Sequence, residues 1–390
     1  MARAAASAER SIGVVGGGQL AWMLAAAARD LGLELHVQTP SSADPAAALA
    51  TSVLEAPLHN VAATRELARR CGAISFENEW LDLEALAPLE AEGIQFVPQL
   101  RALAPLVCKK AQRQLLQHLN LPSPRWCDLP ATGALPAELG FPVVAKASRG
   151  GYDGKGTEVL HSPAELASLA RRVEPGEWIL EEFVAFELEL AQLVCRDSSG
   201  QVQCYPLVQT HQHHQVCDWV LAPAAVPHAV QAFARNIACS LVTALDYVGV
   251  LSIELFYGPA GLQINEIAPR THNSGHVTIE AARTSQFAQQ ARIVAGLPLG
   301  PVDLQVPGAL MVNLLGFESS EADYLPQRQD LAALPGAHVH WYGKQGARPG
   351  RKLGHVTLVL NAAELHDRQA EAMERLAQVR AIWPLPPEVT

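Results

Sequence analysis

The sequence has no excess of positive charge, no paired-cysteine framework and no long apolar run. Its 390 residues carry a formal net charge of −10, which argues against a protein that binds nucleic acid or a membrane surface. The seven cysteines are scattered and lack CxxC spacing, which is typical of reduced thiols in a cytoplasmic protein. Neither a secretory signal nor a membrane span is predicted, because the uncharged stretch 12–28 is short and interrupted by three consecutive glycines. We therefore expect a cytoplasmic globular protein with a disordered tail at 1–10.

The N-terminal glycines lack the acid that would complete a dinucleotide-binding motif. A strand at 11–15, a glycine turn at 16–18 and a helix up to Leu31 are typical of the start of a βαβ unit. However, Gln38-Thr39-Pro40 stands at the end of the second strand, where an acid should hold a ribose hydroxyl. This absence disfavours a dehydrogenase with a nicotinamide cofactor. The backbone amides and the helix N-terminus could hold a monophosphate, and close helix–strand packing explains the glycines equally well.

A second glycine-rich segment lacks the spacing of a P-loop. A strand follows the segment instead of a helix, and Gly156 stands where a P-loop has a hydroxyl residue. Strands at 143–146 and 157–160 flank the glycines, and such a hairpin is typical of a movable flap over a nucleotide. Backbone amides approach phosphate oxygens closely in such a loop, and Lys146 is a candidate phosphate contact. The loop consists of Gly150, Gly151, Tyr152, Asp153, Gly154, Lys155 and Gly156.

The most informative stretch is a predicted hairpin in which each strand carries one acid. Strands are predicted at 250–257 and 262–267, with Glu254 on the first and Glu266 on the second. We expect the two acids to face each other only if the connection holds an odd number of residues, since an even connection places Asn265 opposite Glu254. Facing carboxylates repel unless a cation lies between them, and oxygen ligands of this kind suit magnesium. Two half-exposed acids on an edge strand explain the pair alone equally well.

A polar loop follows the second strand of this hairpin and favours a binding site. Arg270, His272, Asn273 and His276 crowd a segment punctuated by Gly and Pro. A planar guanidinium, an amide and imidazoles can hold a small planar anion or a phosphoryl oxygen. A polar surface loop explains one such residue more easily than four.

Two further segments carry candidate contacts for a nucleotide or its acceptor. The strand 178–181 leads into a connector whose backbone could pair with an adenine edge, and the next strand carries Glu189, a candidate ribose contact. Glu77 and Glu79 stand at the end of an N-terminal strand, where open parallel sheets bind ligands, although a solvated strand end is the simpler interpretation. The connector consists of Glu181, Glu182, Phe183 and Val184.

Taken in order, these segments closely resemble the N5-carboxyaminoimidazole ribonucleotide synthetase family of ATP-grasp enzymes. The likeness extends from 11 to about 383, and its most specific segments are 150–156, 265–276 and 348–355. The resemblance implies an α/β and α+β fold with three parts. These are an N-terminal Rossmann-like parallel-sheet domain at 11–103, an ATP-grasp domain of two subdomains at 104–300 with its lid at about 125–182, and a small β-rich C-terminal domain at 301–390.

The resemblance also implies a reaction. ATP, bicarbonate and 5-aminoimidazole ribonucleotide give N5-carboxyaminoimidazole ribonucleotide, ADP and phosphate in de novo purine biosynthesis, with two Mg²⁺ ions. A homodimer and functional coupling to the carboxyaminoimidazole ribonucleotide mutase are expected on the same basis. The nearest alternatives are ATP-grasp ligases that use formate on a purine ribonucleotide or bicarbonate on biotin. A non-catalytic nucleotide sensor is disfavoured by the intact acid pair.

Each group of candidate residues receives a role from the resemblance. The ATP phosphates would contact Lys146 and the loop 150–156, adenine would contact 181–184, and ribose would contact Glu189. Bicarbonate and carboxyphosphate would contact Arg270, His272 and Asn273. Magnesium would bind Glu254 and Glu266, with Asn265 beside them at the ATP site. The ribonucleotide would contact Gly18, Gln19, Leu20, Glu77, Glu79, Tyr152, Asp153, Lys155, Lys344, Arg351 and Lys352.

The histidine-rich segment departs from the family pattern. The family has Glu-Asn and then a nucleotide-contacting histidine there, whereas this sequence has Gln209-Thr210 and then Gln212. His211 and His213 would share one face of a strand, but no convincing further zinc ligand follows. We therefore favour a polar strand end over a zinc centre and leave the role of these histidines open.

Overall fold

A computed structural model describes residues 11–150 and 156–386, which form three β-sheets flanked by helices. The expected tail at 1–10 and the flap residues Gly151, Tyr152, Asp153, Gly154 and Lys155 lie outside the described residues. Within the part that is described, no helix is long and apolar enough to cross a membrane.

The N-terminal sheet is parallel, as predicted, and its strand order is β3-β2-β1-β4. Every residue of β1 is buried, because helices cover both faces of a parallel sheet. The strands are β1 (Ser11–Val15), β2 (Glu34–Thr39), β3 (Ser52–Glu55) and β4 (Ala73–Phe76). The helices are α1 (Gln19–Asp30), α2 (Val61–Ala68), α3 (Leu83–Ala91) and α4 (Leu100–Leu103), with a 3-10 turn at Pro45–Ala48.

A four-stranded antiparallel sheet follows the connecting helix α5 (Lys109–His118). Its strands are β5 (Trp126–Asp128), β6 (Val143–Ala147), β7 (Thr157–Leu160) and β8 (Trp178–Glu182). The predicted hairpin around the glycine loop is confirmed, since β6 pairs with β7 and Lys146 lies opposite Thr157. Helix α6 (Pro163–Arg172) packs on this sheet and is capped by Ser162, whose hydroxyl accepts a hydrogen bond from the Glu165 amide.

The largest sheet joins the middle and the C-terminal parts of the chain. Its order is β14-β13-β9-β11-β12-β15-β17-β16, with β10 paired to β9. The C-terminal strands therefore extend the sheet of the middle part, since β12 pairs directly with β15. The strands are β9 (Leu188–Arg196), β10 (Val202–Cys204), β11 (Val208–His213), β12 (Val216–Ala222), β13 (Gly249–Gly258), β14 (Gly261–Ala268), β15 (Gly308–Leu315), β16 (Ala337–Trp341) and β17 (Lys352–Leu360).

Helices cover the large sheet. They are α7 (His228–Ala244), α8 (Thr278–Ala281), α9 (Gln286–Val294), α10 (Leu325–Ala332) and α11 (Leu365–Ile382). Strand β17 begins at Lys352, because Gly346 and Gly350 adopt positive φ angles of 69° and 77° in the preceding turn. This turn between β16 and β17 carries Lys344, Arg348 and Arg351, and we call it the basic turn.

Candidate active site

Glu254 on β13 pairs directly with Glu266 on β14. The connecting turn holds an even number of residues, and the sequence therefore predicts that Asn265 lies opposite Glu254. That prediction is wrong. A bulge shifts the register by one residue at this point: Leu255 pairs with Ile264, whereas the next pair is Glu254 with Glu266. A bulge sets two residues of one strand against one residue of its partner. The two carboxylates consequently lie on one face of the sheet.

The two acids have different electrostatic environments. Burial raises the pKa of Glu254 to about 7, and the nearby Glu266 carboxylate adds to this shift. Burial would raise the pKa of Glu266 as well, but the Lys109 ammonium, 2.6 Å from its Oε1, outweighs burial and the pKa is lowered. Asn265 Nδ2 lies 3.4 Å from Glu254 Oε2, and His272 Nε2 lies 3.5 Å from Glu254 Oε1. The site is therefore a compact set of oxygen ligands beside a fixed cation.

Lys146 belongs to a buried charge cluster next to the acid pair. Its Nζ lies 2.8 Å from Glu181 Oε2 and donates to Asn265 Oδ1 at 3.0 Å. The Arg113 guanidinium contacts Glu181 from the other side, with Nε 2.6 Å from Oε1. Burial opposes ionisation of Glu181, but Lys146 and Arg113 lower its pKa to about 2. Glu181 thus binds Lys146, the predicted contact of the ATP phosphates.

Helix α5 supplies three site residues that the sequence analysis missed. Lys109 pairs with Glu266, and the Gln112 side chain bonds both the amide and the carbonyl of Ile267 at 3.1 and 3.0 Å. Arg113 donates to the carbonyl oxygens of Ile264 and Asn265 at 3.0 and 2.6 Å. Side chains of α5 therefore bond the outer edge of β14 at its bulge. The sequence of α5 does not show that Gln112 and Arg113 are buried, because Lys, Gln and Arg are also typical of a helix face exposed to solvent.

The loop after β14 contains the three predicted bicarbonate contacts in different environments. Arg270 forms a two-point ion pair with Glu79, with Nε–Oε2 and Nη2–Oε1 distances of 2.5 and 3.1 Å. His272 Nδ1 lies 2.9 Å from Ser274 Oγ, which fixes the ring with its Nε2 towards Glu254. Asn273 is buried and exchanges two amide hydrogen bonds, of 3.0 and 2.7 Å, with Asn313. Asn273 thus anchors the loop, whereas Arg270 and His272 line the site.

Glu77 caps helix α1 in the glycine turn. Its carboxylate accepts hydrogen bonds from the amides of Gly18, Leu20 and Ala21 at 2.7, 3.2 and 3.5 Å. A side chain at Gly18 would collide with this carboxylate. Burial raises the pKa of Glu77, and the backbone donors oppose that shift. The backbone amides that were candidates for binding a monophosphate therefore already bind the Glu77 carboxylate.

The C-terminal basic turn reaches the same glycine turn. Lys344 Nζ donates to Gln19 Oε1 at 2.6 Å and to the carbonyl of Lys352 at 2.9 Å. Arg351 Nη1 donates to the carbonyls of Gln345 and Gly346 at 2.5 and 2.6 Å, which braces the turn from inside. Four predicted ribonucleotide contacts, Gln19, Lys344, Arg351 and Lys352, thus belong to two turns joined through the Lys344–Gln19 bond.

The predicted adenine and ribose residues border the lid sheet and β9. Phe183 is exposed, Val184 is half-buried, and Glu182 pairs with Arg125 at 2.7 Å. Burial raises the pKa of Glu189 to about 7. Gly150 and Gly156, at the two ends of the flap, adopt positive φ angles of 75° and 74°. The residues predicted around ATP thus lie on the lid sheet and on the large sheet, or in the connector between them.

The histidine-rich segment does not form a metal centre in the described ranges. His211 Nδ1 lies 3.2 Å from Asp218 Oδ2, and its ring stacks on Trp219 with the centroids 5.2 Å apart. His213 Nε2 lies 3.3 Å from the carbonyl oxygen of Pro386. Among residues 11–150 and 156–386, no three His, Cys, Asp or Glu side chains are grouped to hold a metal.

A surface cleft is lined by residues from the N-terminal domain, the large sheet and the start of the flap. Glu79 and Trp80 line it from the N-terminal domain, and Glu266 lines it from the large sheet. The remaining walls come from the start of α5 and from the glycine flap. They are Leu106, Val107, Cys108, Lys109, Gln112, Ser148, Arg149 and Gly150.

Three family models match the chain in succession. The ribonucleotide synthetase preATP-grasp domain matches 10–106, the ATP-grasp domain matches 114–287, and the phosphoribosylaminoimidazole carboxylase C-terminal domain matches 309–369. The chain is 54% identical over 385 residues to an N5-carboxyaminoimidazole ribonucleotide synthase of Synechococcus elongatus, and the match covers 98% of each protein.

Solved structures agree with these matches. The N5-carboxyaminoimidazole ribonucleotide synthetase of Thermotoga maritima is 34% identical, with a TM-score of 0.84 and coverage of 97% of this chain and 100% of that one. An Aspergillus clavatus N5-carboxyaminoimidazole synthase in complex with ADP and 5-aminoimidazole ribonucleotide is 27% identical, with a TM-score of 0.86 and coverage of 96% and 100%.

Proposed function

The chain belongs to the N5-carboxyaminoimidazole ribonucleotide synthase family, and from this premise we propose how its residues divide the reaction. It is an ATP-dependent ligase that carboxylates 5-aminoimidazole ribonucleotide with bicarbonate in purine biosynthesis. The observation that carries the residue roles is the facing pair Glu254 and Glu266, with Lys109 and Lys146 beside it.

We assign magnesium to the facing acids. Glu254 and Glu266 offer carboxylate oxygens on one face of the hairpin, which is the ligand type that Mg²⁺ prefers. Mutual repulsion contributes to the raised pKa of Glu254, and a divalent cation would relieve it. When bound, magnesium neutralises charge on the phosphate oxygens of ATP. Asn265 lies beside the pair, and two ions, as the family resemblance implies, would fit two carboxylates that face the phosphates.

The first chemical step is the phosphorylation of bicarbonate. A bicarbonate oxygen attacks the γ-phosphorus of ATP, the bond to the bridging oxygen breaks, and ADP leaves as carboxyphosphate forms. Such a transfer needs positioning and charge neutralisation more than a protein nucleophile. Lys146, held by Glu181 and Asn265, neutralises phosphate charge, and Lys109 does so on the other side of the acid pair.

Arg270 and His272 orient bicarbonate for this step. The guanidinium of Arg270 is held by Glu79 at Nε and Nη2, and its Nη1 donates to the carbonyl of Thr271 at 3.2 Å. A planar guanidinium fixed in this way is suited to contact a planar anion. His272 is aimed by Ser274. Asn273, which the family resemblance places at bicarbonate, supports the loop through Asn313, and we assign it a positioning role.

The second step transfers the carboxyl group to the substrate amine. The exocyclic nitrogen of 5-aminoimidazole ribonucleotide attacks the carboxyl carbon of carboxyphosphate, or carbon dioxide released from it. Phosphate leaves with the electrons of the broken C–O bond, and the nitrogen loses a proton. Carboxyphosphate hydrolyses easily, so the glycine flap must exclude water. Lys344 and Lys352, with Arg351 bracing their turn, bind the 5′-phosphate of the ribonucleotide.

Comparing acceptor substrates tests this function. ADP release is measured with ATP, Mg²⁺ and one acceptor pair at a time: aminoimidazole ribonucleotide with bicarbonate, a purine-precursor ribonucleotide with formate, or biotin with bicarbonate. We expect ADP release only with the first pair, in equal amounts with N5-carboxyaminoimidazole ribonucleotide. Turnover with formate or biotin and none with aminoimidazole ribonucleotide would overturn the assignment.

The remaining features extend the same proposal. We place the domain limits at 11–103, 104–300 and 301–390, with the lid at about 125–182. A cytoplasmic homodimer coupled to the carboxyaminoimidazole ribonucleotide mutase rests on the family resemblance. Light scattering of the purified protein, with and without the mutase, measures both associations, and cell fractionation measures the location.

A further inference from the structure

A hydrogen bond between Tyr342 and His355 is buried beside the substrate turns but has no part in the chemistry. The Tyr342 hydroxyl and His355 Nδ1 are 2.8 Å apart, and both side chains are almost fully enclosed, with 2% and 0% exposure. Burial raises the pKa of Tyr342, so its hydroxyl stays protonated and donates to the ring nitrogen. The bond joins the end of β16 to the middle of β17.

His355 is the centre of a stack of three imidazoles. The ring of His276 lies 4.9 Å from it and the ring of His340 lies 4.4 Å from it, measured between centroids. The outer rings are fixed as well, since Glu280 Oε1 lies 2.7 Å from His340 Nε2 and the Gln286 amide lies 3.3 Å from His276 Nδ1. His276 belongs to the loop that carries the bicarbonate contacts. The stack thus joins that loop to the C-terminal strands.

The rings of His276 and His355 each leave one nitrogen without a partner within the described residues. This nitrogen is Nε2 in both rings, and it is buried. A buried polar atom without a partner destabilises a fold, whereas apolar side chains of similar shape are neutral or stabilising at such a position. Burial also lowers the pKa of both rings, which are therefore neutral and form no ion pair.

Tyr342 lies where three parts of the molecule meet. Its ring packs in the core of the N-terminal domain, with Trp22 of α1 at 6.3 Å between centroids. The Lys344 ammonium lies 5.3 Å from the same ring, as in a cation–π contact. Only Gly343, with a positive φ of 68°, separates the two residues. The tyrosine ring therefore forms one side of the environment of the lysine ammonium.

We propose that Tyr342 and His355 are positioning residues that hold the Lys344 ammonium in place for the 5′-phosphate of the ribonucleotide. The proposal rests on the assignment of Lys344 to that phosphate under the proposed function. The hydrogen bond fixes the ring in its plane, the ring fixes the ammonium, and the bonds to Gln19 and the Lys352 carbonyl complete its orientation. The imidazole stack keeps the accepting nitrogen in place and joins it to the bicarbonate loop.

The most direct test compares two ligands that differ only by the phosphate. Tyr342→Phe removes the hydroxyl and keeps the ring, so the fold and the cation–π contact should survive. Calorimetric titration then gives Kd for aminoimidazole ribonucleotide and for aminoimidazole riboside. We expect the ribonucleotide Kd to rise about fivefold to tenfold, while the riboside and ADP keep their wild-type values. His338→Gln, an exposed imidazole on the same strand, is the matched control and should change none of the three.

Variants of the histidine separate positioning from packing. Asn at position 355 can present an acceptor where Nδ1 lies, so His355→Asn should keep the ribonucleotide Kd within about twofold of wild type. His355→Leu fills the space without an acceptor and should reproduce the effect of Tyr342→Phe. A purely structural role predicts instead that all three Kd values rise together or that melting temperature follows the loss of affinity.

The outcomes distinguish this inference from the function on which it rests. An unchanged ribonucleotide Kd in Tyr342→Phe, or an equal rise for the riboside, would overturn the positioning role while wild-type carboxylation stands. If the wild-type protein does not bind aminoimidazole ribonucleotide, the proposed function itself fails.

Discussion

Lys109 and Glu266 show, at the scale of single residues, how the site uses charge. The lysine holds the pKa of Glu266 down, whereas burial and two neighbouring acids, Glu266 and Glu189, hold that of Glu254 up to about 7. One acid is therefore ionised in the free protein, and the other needs a cation nearby to lose its proton fully. This asymmetry favours a site that gains its full charge only when magnesium and nucleotide bind.

Replacing Glu266 tests the metal assignment. Glu266→Gln keeps the shape and removes the charge, so we expect turnover to fall by about a hundredfold or more while the fold survives. ADP release measures turnover, and circular dichroism measures whether the fold survives. Glu158→Gln, which breaks an exposed ion pair with Arg172 on the lid, is the control and should keep wild-type turnover. Near-normal activity of Glu266→Gln would count against the assignment.

The raised pKa of Glu189 predicts a pH-dependent affinity for the nucleoside. Burial raises that pKa to about 7, so the side chain is neutral below this value and becomes a stronger hydrogen-bond acceptor above it. Adenosine has no phosphate that titrates in this range. Its affinity should therefore increase between about pH 6 and pH 8, with the change centred near neutrality.

Glu189→Gln provides the control for this pH dependence. The amide does not titrate, so adenosine should bind this variant equally well across the range. A pH dependence that persists in Glu189→Gln would assign the titration to another group, such as the neighbouring His211.

At the scale of elements, α5 seals an exposed strand edge. Within residues 11–150 and 156–386, no strand pairs with the outer edge of β14, and an open edge invites pairing with another chain. Gln112 and Arg113 bond three of its residues, and Arg113 also reaches Glu181 of the lid strand. The helix thus fixes the bulge that turns Glu266 to the active face and joins both halves of the ATP site.

Loss of Arg113 should destabilise this junction. The side chain is 3% exposed, and Arg113→Met leaves Glu181 buried beside Lys146 alone. Breaking a buried ion pair on one side lowers the free energy of unfolding by about 3 to 5 kcal/mol. Scanning calorimetry measures the loss. Arg172→Met, in an exposed pair, should lose at most about 1 kcal/mol, and equal losses in the two variants would refute the buried role.

Most strands and helices, and the types of residue in the site, could be predicted from the sequence. The hairpin of β13 and β14, the lid hairpin and the N-terminal parallel sheet all follow from apolar patterning and glycine turns, which are local signals. The bulge was missed because strand register depends on partners far away in the chain. The roles of Gln112 and Arg113 were missed because burial of a polar helix face is a tertiary property.

At the scale of the whole molecule, one sheet runs from the ATP site to the C-terminal turn. β12 pairs with β15 through register partners such as Trp219 with Val312 and Leu221 with Leu310. The C-terminal part, expected as a small β-rich domain, adds its strands to the sheet of the middle part. Two distant substrate regions, the acid pair and the basic turn, are consequently built on one continuous scaffold.

Truncation tests this continuity. A chain that ends at residue 300 loses β15, β16 and β17 and leaves the apolar strand β12 as an open edge. We expect it to aggregate or to lack a cooperative thermal transition, because exposed hydrophobic edges pair with other chains. Size-exclusion chromatography and calorimetry measure both properties. A monodisperse, cooperatively folded fragment would instead make the C-terminal part an independent domain.

The fate of a bicarbonate oxygen tests the central claim most directly. The reaction is run with bicarbonate labelled with heavy oxygen, ATP and aminoimidazole ribonucleotide, and the released phosphate is analysed by mass spectrometry. If bicarbonate is phosphorylated beside Glu254 and Glu266, one labelled oxygen appears in each phosphate, and Glu266→Gln releases almost none. Phosphate that is free of label, formed at the wild-type rate, would contradict the account.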